Sequence, residues 1–164
     1  MYKIITLITF LLFSFSANAK ALKIFDGDSF LINNVEIRLQ GIDAPEYNQM
    51  CRDKENKEYS CGIVAKNKLR QLMYEGVEKL RNVDKAIKCS IQGRDNYDRI
   101  IGICYNKLGK DINKEMVLSG NAIAYERYYK AYVPDQEFAK TNKLGIWQGK
   151  FEIPERWRWM NKRK

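Results

Sequence analysis

Three observations predict an α+β domain: about five short β-prone runs separated by turn residues, a longer amphipathic segment at helical spacing between them, and no internal repeat. Strands first, then mixed strands and short helices, suit a five-stranded Greek-key β-barrel of the oligonucleotide/oligosaccharide-binding (OB) type. Such a barrel offers one outer face and its loops to a ligand.

Taken in order, the chain begins with Lys3, an apolar run over 4–15 and Ala17-Asn18-Ala19. This is the pattern of a secretory signal peptide over 1–19, cleaved after Ala19. The run is shorter than the ~20 residues a membrane span needs, so secretion or periplasmic delivery is expected, with no membrane association after cleavage. The domain proper is expected over 20–149, followed by a basic aromatic tail over 150–164 (PERWRWMNKRK at its end). Residues 29–32 and 35–39 read as a hairpin around Asn33-Asn34, because asparagine tolerates the positive φ of a tight turn. Pairing Ile32 with Val35 sets Phe30 against Ile37 and Ser29 against Arg38. Val35, Ile37 and Leu39 then share one face, and Glu36 and Arg38 the other. A strict register sends Asp28 to the apolar side, so a bend or bulge beside Gly27 is required for it to join the polar residues.

Ile63, Ala65, Leu69, Leu72 and Met73 predict an amphipathic helix over 62–74 ended by Gly76. Residues 77–83, 86–91 and 100–105 read as strand material. A turn follows over 107–110, then a helix over 112–119 capped by Gly120, a small apolar stretch over 121–125, and a helix over 135–143 after Pro134.

A formal net charge of +9 favours polyanionic partners. Four cysteines in an exported chain imply two disulfides. Cys51 and Cys61 bracket a charged, turn-rich loop, and a hairpin centred on Asn96-Tyr97 sets Cys89 opposite Cys104. Neither pair has the spacing of a zinc site. The sequence holds no histidine. Histidine zinc sites, Ser-His-Asp hydrolysis and paired-histidine acid/base schemes are excluded with it.

Catalysis is left to carboxylates, arginines, tyrosines and lysines. Asp28 and Asp43, brought together from the two ends of the hairpin, offer hard oxygen ligands, and the carbonyl of Ala44 can add another; such a set suits Ca²⁺ or, less readily, Mg²⁺. Glu46, aimed by the rigid Pro45, is placed to act as general base. Arg38 is one candidate for phosphate recognition. Arg94 and Arg99 both flank the second hairpin turn, and the pattern alone does not choose between them; Asp95 and Asp98 are near enough to pair with either. Tyr125 and Tyr128, in a run with Arg127 and Lys130, could stack under bases.

In their order, DGDS, RLQGIDAPE, DNYDR, GNAIAYERYY and KLGIW resemble the staphylococcal nuclease-like family, over about residues 22–147. The resemblance implies a five-stranded barrel with three helices and a Ca²⁺-dependent phosphodiesterase acting on DNA and RNA to leave 3′-phosphate ends. It implies Asp28, Asp43 and the Ala44 carbonyl as metal ligands, Arg38 and Arg99 as phosphate-binding arginines, and Glu46 as general base. Tyr97 falls on the tyrosine of the second turn, and Tyr125 and Tyr128 align with nucleotide-binding tyrosines. Ala44 replaces a threonine, Asn96 a lysine, and Asp98 a glycine, which predicts competition for Arg99 or a strained turn. A monomer with no stable protein partner is expected. The rival readings are an OB-fold module that binds nucleic acid or protein without cutting, and a glycosidase built on Asp43 and Glu46.

Overall fold

The computed structural model describes residues 22–162, so the expected signal peptide lies outside the described residues. Strands β1 (Lys23–Ile24), β2 (Ser29–Ile32) and β3 (Val35–Leu39) form a meander. The β2–β3 register is the expected one, with Ser29 opposite Arg38, Phe30 opposite Ile37 and Ile32 opposite Val35. Asn33 and Asn34 both take positive φ, 51° and 63°, as a two-residue turn between twisted strands demands. The second hairpin joins β7 (Lys88–Arg94) to β8 (Ile100–Tyr105), and β8 lies parallel to β3. The resulting five-stranded mixed sheet has the order β1-β2-β3-β8-β7. Two small ribbons flank it: β4 (Ile42–Asp43) with β9 (Ile123–Ala124), and β5 (Cys51–Arg52) with β6 (Glu58–Tyr59). With its helices this is the α+β architecture of the OB type.

Helix α1 (Cys61–Tyr74) buries Ala65, Leu69, Leu72 and Met73 at intervals of three and four, the spacing that puts side chains on one face. Its stripe meets Phe30, Ile37 and Leu39 from the sheet and Ile112, Met116 and Val117 from α3 (Ile112–Leu118) in one core. Asp111 caps α3 by accepting from the Lys114 N–H at 3.0 Å. Helix α4 (Val133–Thr141) starts with proline in its first turn, two residues before the expected start. The tail is a further helix, α5 (Pro154–Met160).

One element differs from expectation. Residues 77–83 are not a strand: after Gly76, at φ 78°, the chain makes a 3₁₀ turn (Leu80–Asn82) and a single helical turn, α2 (Val83–Ala86). Val77 and Val83 reach the core while Leu80 stays 73% exposed; the apolar residues recur every third position, a spacing that suits the helical turns formed here, with α2 against α1.

Both expected disulfides form. Cys89 and Cys104 are directly opposed across β7–β8, with Cα atoms 4.0 Å apart. Cys51–Cys61 ties the β5–β6 ribbon to the first residue of α1 and packs with Ile146, Trp147 and Phe151 in a second, smaller core.

Candidate active site

The site begins with a tight turn. The Asp26 carboxylate accepts from the Asp28 and Ser29 N–H groups and the Ser29 hydroxyl at 2.7–3.0 Å, closing the chain around Gly27. A Cβ on Gly27 would lie 2.7 Å from the Ala44 Cβ and 2.8 Å from that of Ala65, so only glycine lets the turn press against α1 and the 42–46 segment. This is the bend the alternation requires, and it brings Asp28 into the polar cluster.

Asp28 is buried, and it accepts from Arg38 Nη1 at 2.8 Å and from the Ala44 N–H at 2.9 Å. Burial pushes its carboxyl up to about 8, with the Arg38 guanidinium pulling it back down. Arg38 uses its other terminal nitrogen on Asp43, with Nη2 3.1 Å from Oδ1. The charge of Asp28 raises the Arg38 pKa further, over the opposing effect of burial. The first hairpin therefore delivers one guanidinium bridging two carboxylates, as its register predicts.

Glu46 stands on the loop after β4. Its N–H donates to Gln49 Oε1 at 3.2 Å, and its carbonyl accepts from the Gln49 N–H at 2.7 Å. Gln49 is wholly buried and donates from Nε2 to the Glu152 carbonyl at 2.6 Å. Gly62 at the start of α1 has no room for a Cβ, because the Glu46 carbonyl occupies that space.

The sequence gives no sign of the group that joins Asp43 to Glu46. Arg158, on α5, donates from Nη1 to Asp43 Oδ1 and to Glu46 Oε1, 2.8 Å each, and from Nη2 to Asp43 Oδ2 at 3.1 Å. Partial burial works against the Arg158 charge, but the hydrogen bonds and charges of Asp43 and Glu46 outweigh it and raise its pKa. Two guanidiniums thus meet three carboxylates.

Arg99 lies outside this cluster. Its Nε and Nη2 both reach Asp95 Oδ2 at 2.7 Å, and its Nε lies 4.0 Å from Glu36 Oε1. The parallel register of β3 with β8 sets Ile37 beside Ile100, so Arg99 emerges next to Glu36 on the sheet face that carries Arg38. The expected competition of Asp98 for Arg99 does not occur, since Asp98 Oδ1 takes Arg94 Nη1 at 3.0 Å. The expected strain does: Asp98 sits at φ 65°, in the left-handed region where glycine is at ease. Tyr97 is 82% exposed, its ring 5.6 Å from the Arg99 guanidinium.

Tyr125 is positioned through backbone. Its N–H donates to the Gly41 carbonyl at 2.8 Å, one residue beyond the pairing of β9 with β4. Its ring meets that of Tyr128 edge-on at 4.8 Å, and its hydroxyl donates to Glu155 on α5 at 3.1 Å. Tyr128 is exposed.

Among the described residues no group of three or more His, Cys, Asp or Glu side chains stands in ligating arrangement. Asp28 and Asp43 stand on either side of Arg38, their oxygens accepting from Arg38, Arg158 and the Ala44 N–H. Their chemistry fits a hard divalent cation, and Arg158 Nη1, equidistant from Asp43 and Glu46, marks a point where positive charge is already held.

The model of staphylococcal nuclease homologues matches residues 36–149, most of the described chain, from within β3 to the residues before α5. The chain belongs to the staphylococcal nuclease family. Among its relatives, a succinoglycan biosynthesis protein of Rhizobium meliloti is 32% identical over 130 residues, 79% of this chain and 64% of the relative. The chain thus spans just under two thirds of that protein. An uncharacterized endonuclease of Haemophilus influenzae is 30% identical over 147 residues, 85% of this chain and 71% of the relative. Another, of Escherichia coli, is 28% identical over 152 residues, 89% of this chain and 86% of the relative. Family membership and the endonuclease names of the latter two relatives support a nuclease. Helix α5 and its Arg158 lie beyond the matched residues.

Proposed function

We propose that this staphylococcal nuclease homologue is an exported, Ca²⁺-dependent enzyme that hydrolyses phosphodiester bonds of DNA and RNA with little sugar or sequence specificity. The observation that carries the reading is the bridge of Arg38 between Asp28 and Asp43 beside Glu46, a set with acids for a cation and a base and a guanidinium for a phosphate.

In this reading Asp28, Asp43 and the Ala44 carbonyl hold the ion. Bound Ca²⁺ supplies neutralisation of the phosphate's charge. Arg38 and Arg99 donate to phosphate oxygens, and their fixed charge favours the extra negative charge of a five-coordinate phosphorus. Glu46 takes a proton from the attacking water as its oxygen bonds to phosphorus in line with the leaving oxygen. The P–O5′ bond breaks, the 5′ oxygen takes up a proton from solvent water, and a 3′-phosphate remains. Tyr97, Tyr125 and Tyr128 give the flanking nucleotides aromatic faces to stack on. The net charge of +9 suits the polyanion, and the two disulfides suit an oxidising compartment.

Digestion of single-stranded DNA, double-stranded DNA and RNA with Ca²⁺ or with a chelator tests this. All three are cut with Ca²⁺ and spared with chelator, and Glu46→Gln or Arg38→Ala lowers turnover by at least ~10²-fold, the scale of losing a base or a charge-stabilising donor. Full activity of both variants would overturn it. One observation favours a second reading, an OB-fold module that binds without cutting: Asp43 and Glu46 are already neutralised by Arg158. Retarded but uncut DNA in the same experiment would choose it.

A further inference from the structure

Arg158 commits both oxygens of Asp43. With Arg38 on Oδ1 as well, that carboxylate receives three N–H contacts at 2.8–3.1 Å, and Glu46 Oε1 receives a fourth. A Ca²⁺ ligand oxygen stands about 2.3–2.6 Å from its ion and presents a lone pair to it. The lone pairs that Arg158 fills on Asp43 are the ones an ion needs.

The attachment of α5 explains how both demands on Asp43 can be met in turn. The chain leading into α5 is fastened by the Gln49–Glu152 hydrogen bond and by the backbone pairing of Arg52 with Lys150. Beyond that point α5 has one buried residue, Pro154, while Trp159 is 73% exposed. Trp157 is half-buried, and the remaining ties are polar: Glu155 with the Tyr125 hydroxyl and with Arg127, Arg156 with Glu152, and Arg158 with Asp43 and Glu46. An element held by such contacts opens at little cost once its charges are satisfied elsewhere.

We infer that α5 is an ion-released latch: Arg158 is a tethered cation that closes the site, and a divalent ion on Asp43 expels it. The inference rests on the Ca²⁺ reading above. Ion binding and latch closure exclude one another, so the observed affinity is the intrinsic one reduced by the fraction of molecules that stand open.

Calorimetric titration of Ca²⁺ into the full chain and its Arg158→Gln, Arg158→Lys and Asp43→Asn variants tests it, with tryptic cleavage after Arg156 as a second readout and melting curves in chelator as the check on folding. For a latch open about a tenth of the time, Arg158→Gln binds Ca²⁺ about tenfold more tightly. Arg158→Lys, which keeps the charge and loses the two-pronged contact, falls between. Ca²⁺ hastens cleavage after Arg156 in the unaltered chain. Equal affinity of Arg158→Gln and the unaltered chain, with Asp43→Asn still abolishing binding, overturns the latch and leaves the nuclease reading standing. Weaker binding by Arg158→Gln overturns the latch too, since Arg158 would then support the site. No binding by any form overturns both.

Discussion

Gln49 does at single-residue scale what the carboxylate-bearing loop cannot do for itself. With its side chain it receives the Glu46 N–H and grips the Glu152 carbonyl, so the loop bearing the proposed base and the entry to α5 share one buried amide. Gln49→Ala strands both groups. We expect a loss of about 1–3 kcal/mol for unpaired buried polar groups, read as a lower midpoint in urea unfolding, and faster cleavage after Arg156. Asp95 plays the matching part for Arg99. Partial burial would raise its carboxyl, but hydrogen bonds from the Arg99 side chain and from the Arg99 and Tyr97 N–H groups outweigh this and hold it below 3.8. A carboxyl with a lowered folded pKa stabilises the fold above its unfolded pKa and loses that contribution as pH falls through the folded one. Asp95→Asn should therefore melt at lower temperature than the unaltered chain at pH 7, and the gap should narrow only below about pH 4.

Among elements, the first hairpin could be read from sequence almost completely. Asn33-Asn34 sets the turn, alternation sets the faces, and the register leaves Arg38 one direction in which to point. Asp28 required a bend that alternation alone demands but does not describe, and the Asp26 turn provides it. Residues 77–83 were misleading because their two valines are β-prone, while the spacing of three between Val77, Leu80 and Val83 is that of the helical turns they form. Arg158 lies 115 residues from Asp43, and no local pattern in an alternating Arg–Trp tail indicates which arginine turns inward. The β7–β8 hairpin carries its own staple. Replacing Cys89 and Cys104 together by alanine should cost about 3 kcal/mol, the value for closing a loop of 15 residues, measured by thermal unfolding against the unaltered chain.

At the scale of the whole molecule, one basic domain presents an acidic centre. The +9 charge draws a polyanion in, while Asp28, Asp43 and Glu46 repel it unless cations screen them. Steady-state cleavage should then respond to two salts in opposite ways: Ca²⁺ raises kcat/KM, and KCl lowers it along a straight line in a log–log plot, as contacts between Arg38, Arg99 and phosphate release counterions. A flat KCl dependence would show that the basic surface plays no part in capture.

The parallel alignment of β3 with β8 also orders events during folding. Asp28, Arg38, Asp43 and Glu46 come from one continuous stretch and can gather as soon as the first hairpin closes, whereas Arg99 reaches the sheet face that carries Arg38 only after some 60 intervening residues have been wound over the sheet and β8 has docked. Non-local pairing of this kind forms late. A nascent chain thus gathers its carboxylates well before Arg99 is set beside Glu36, and Arg158, on α5, follows later still.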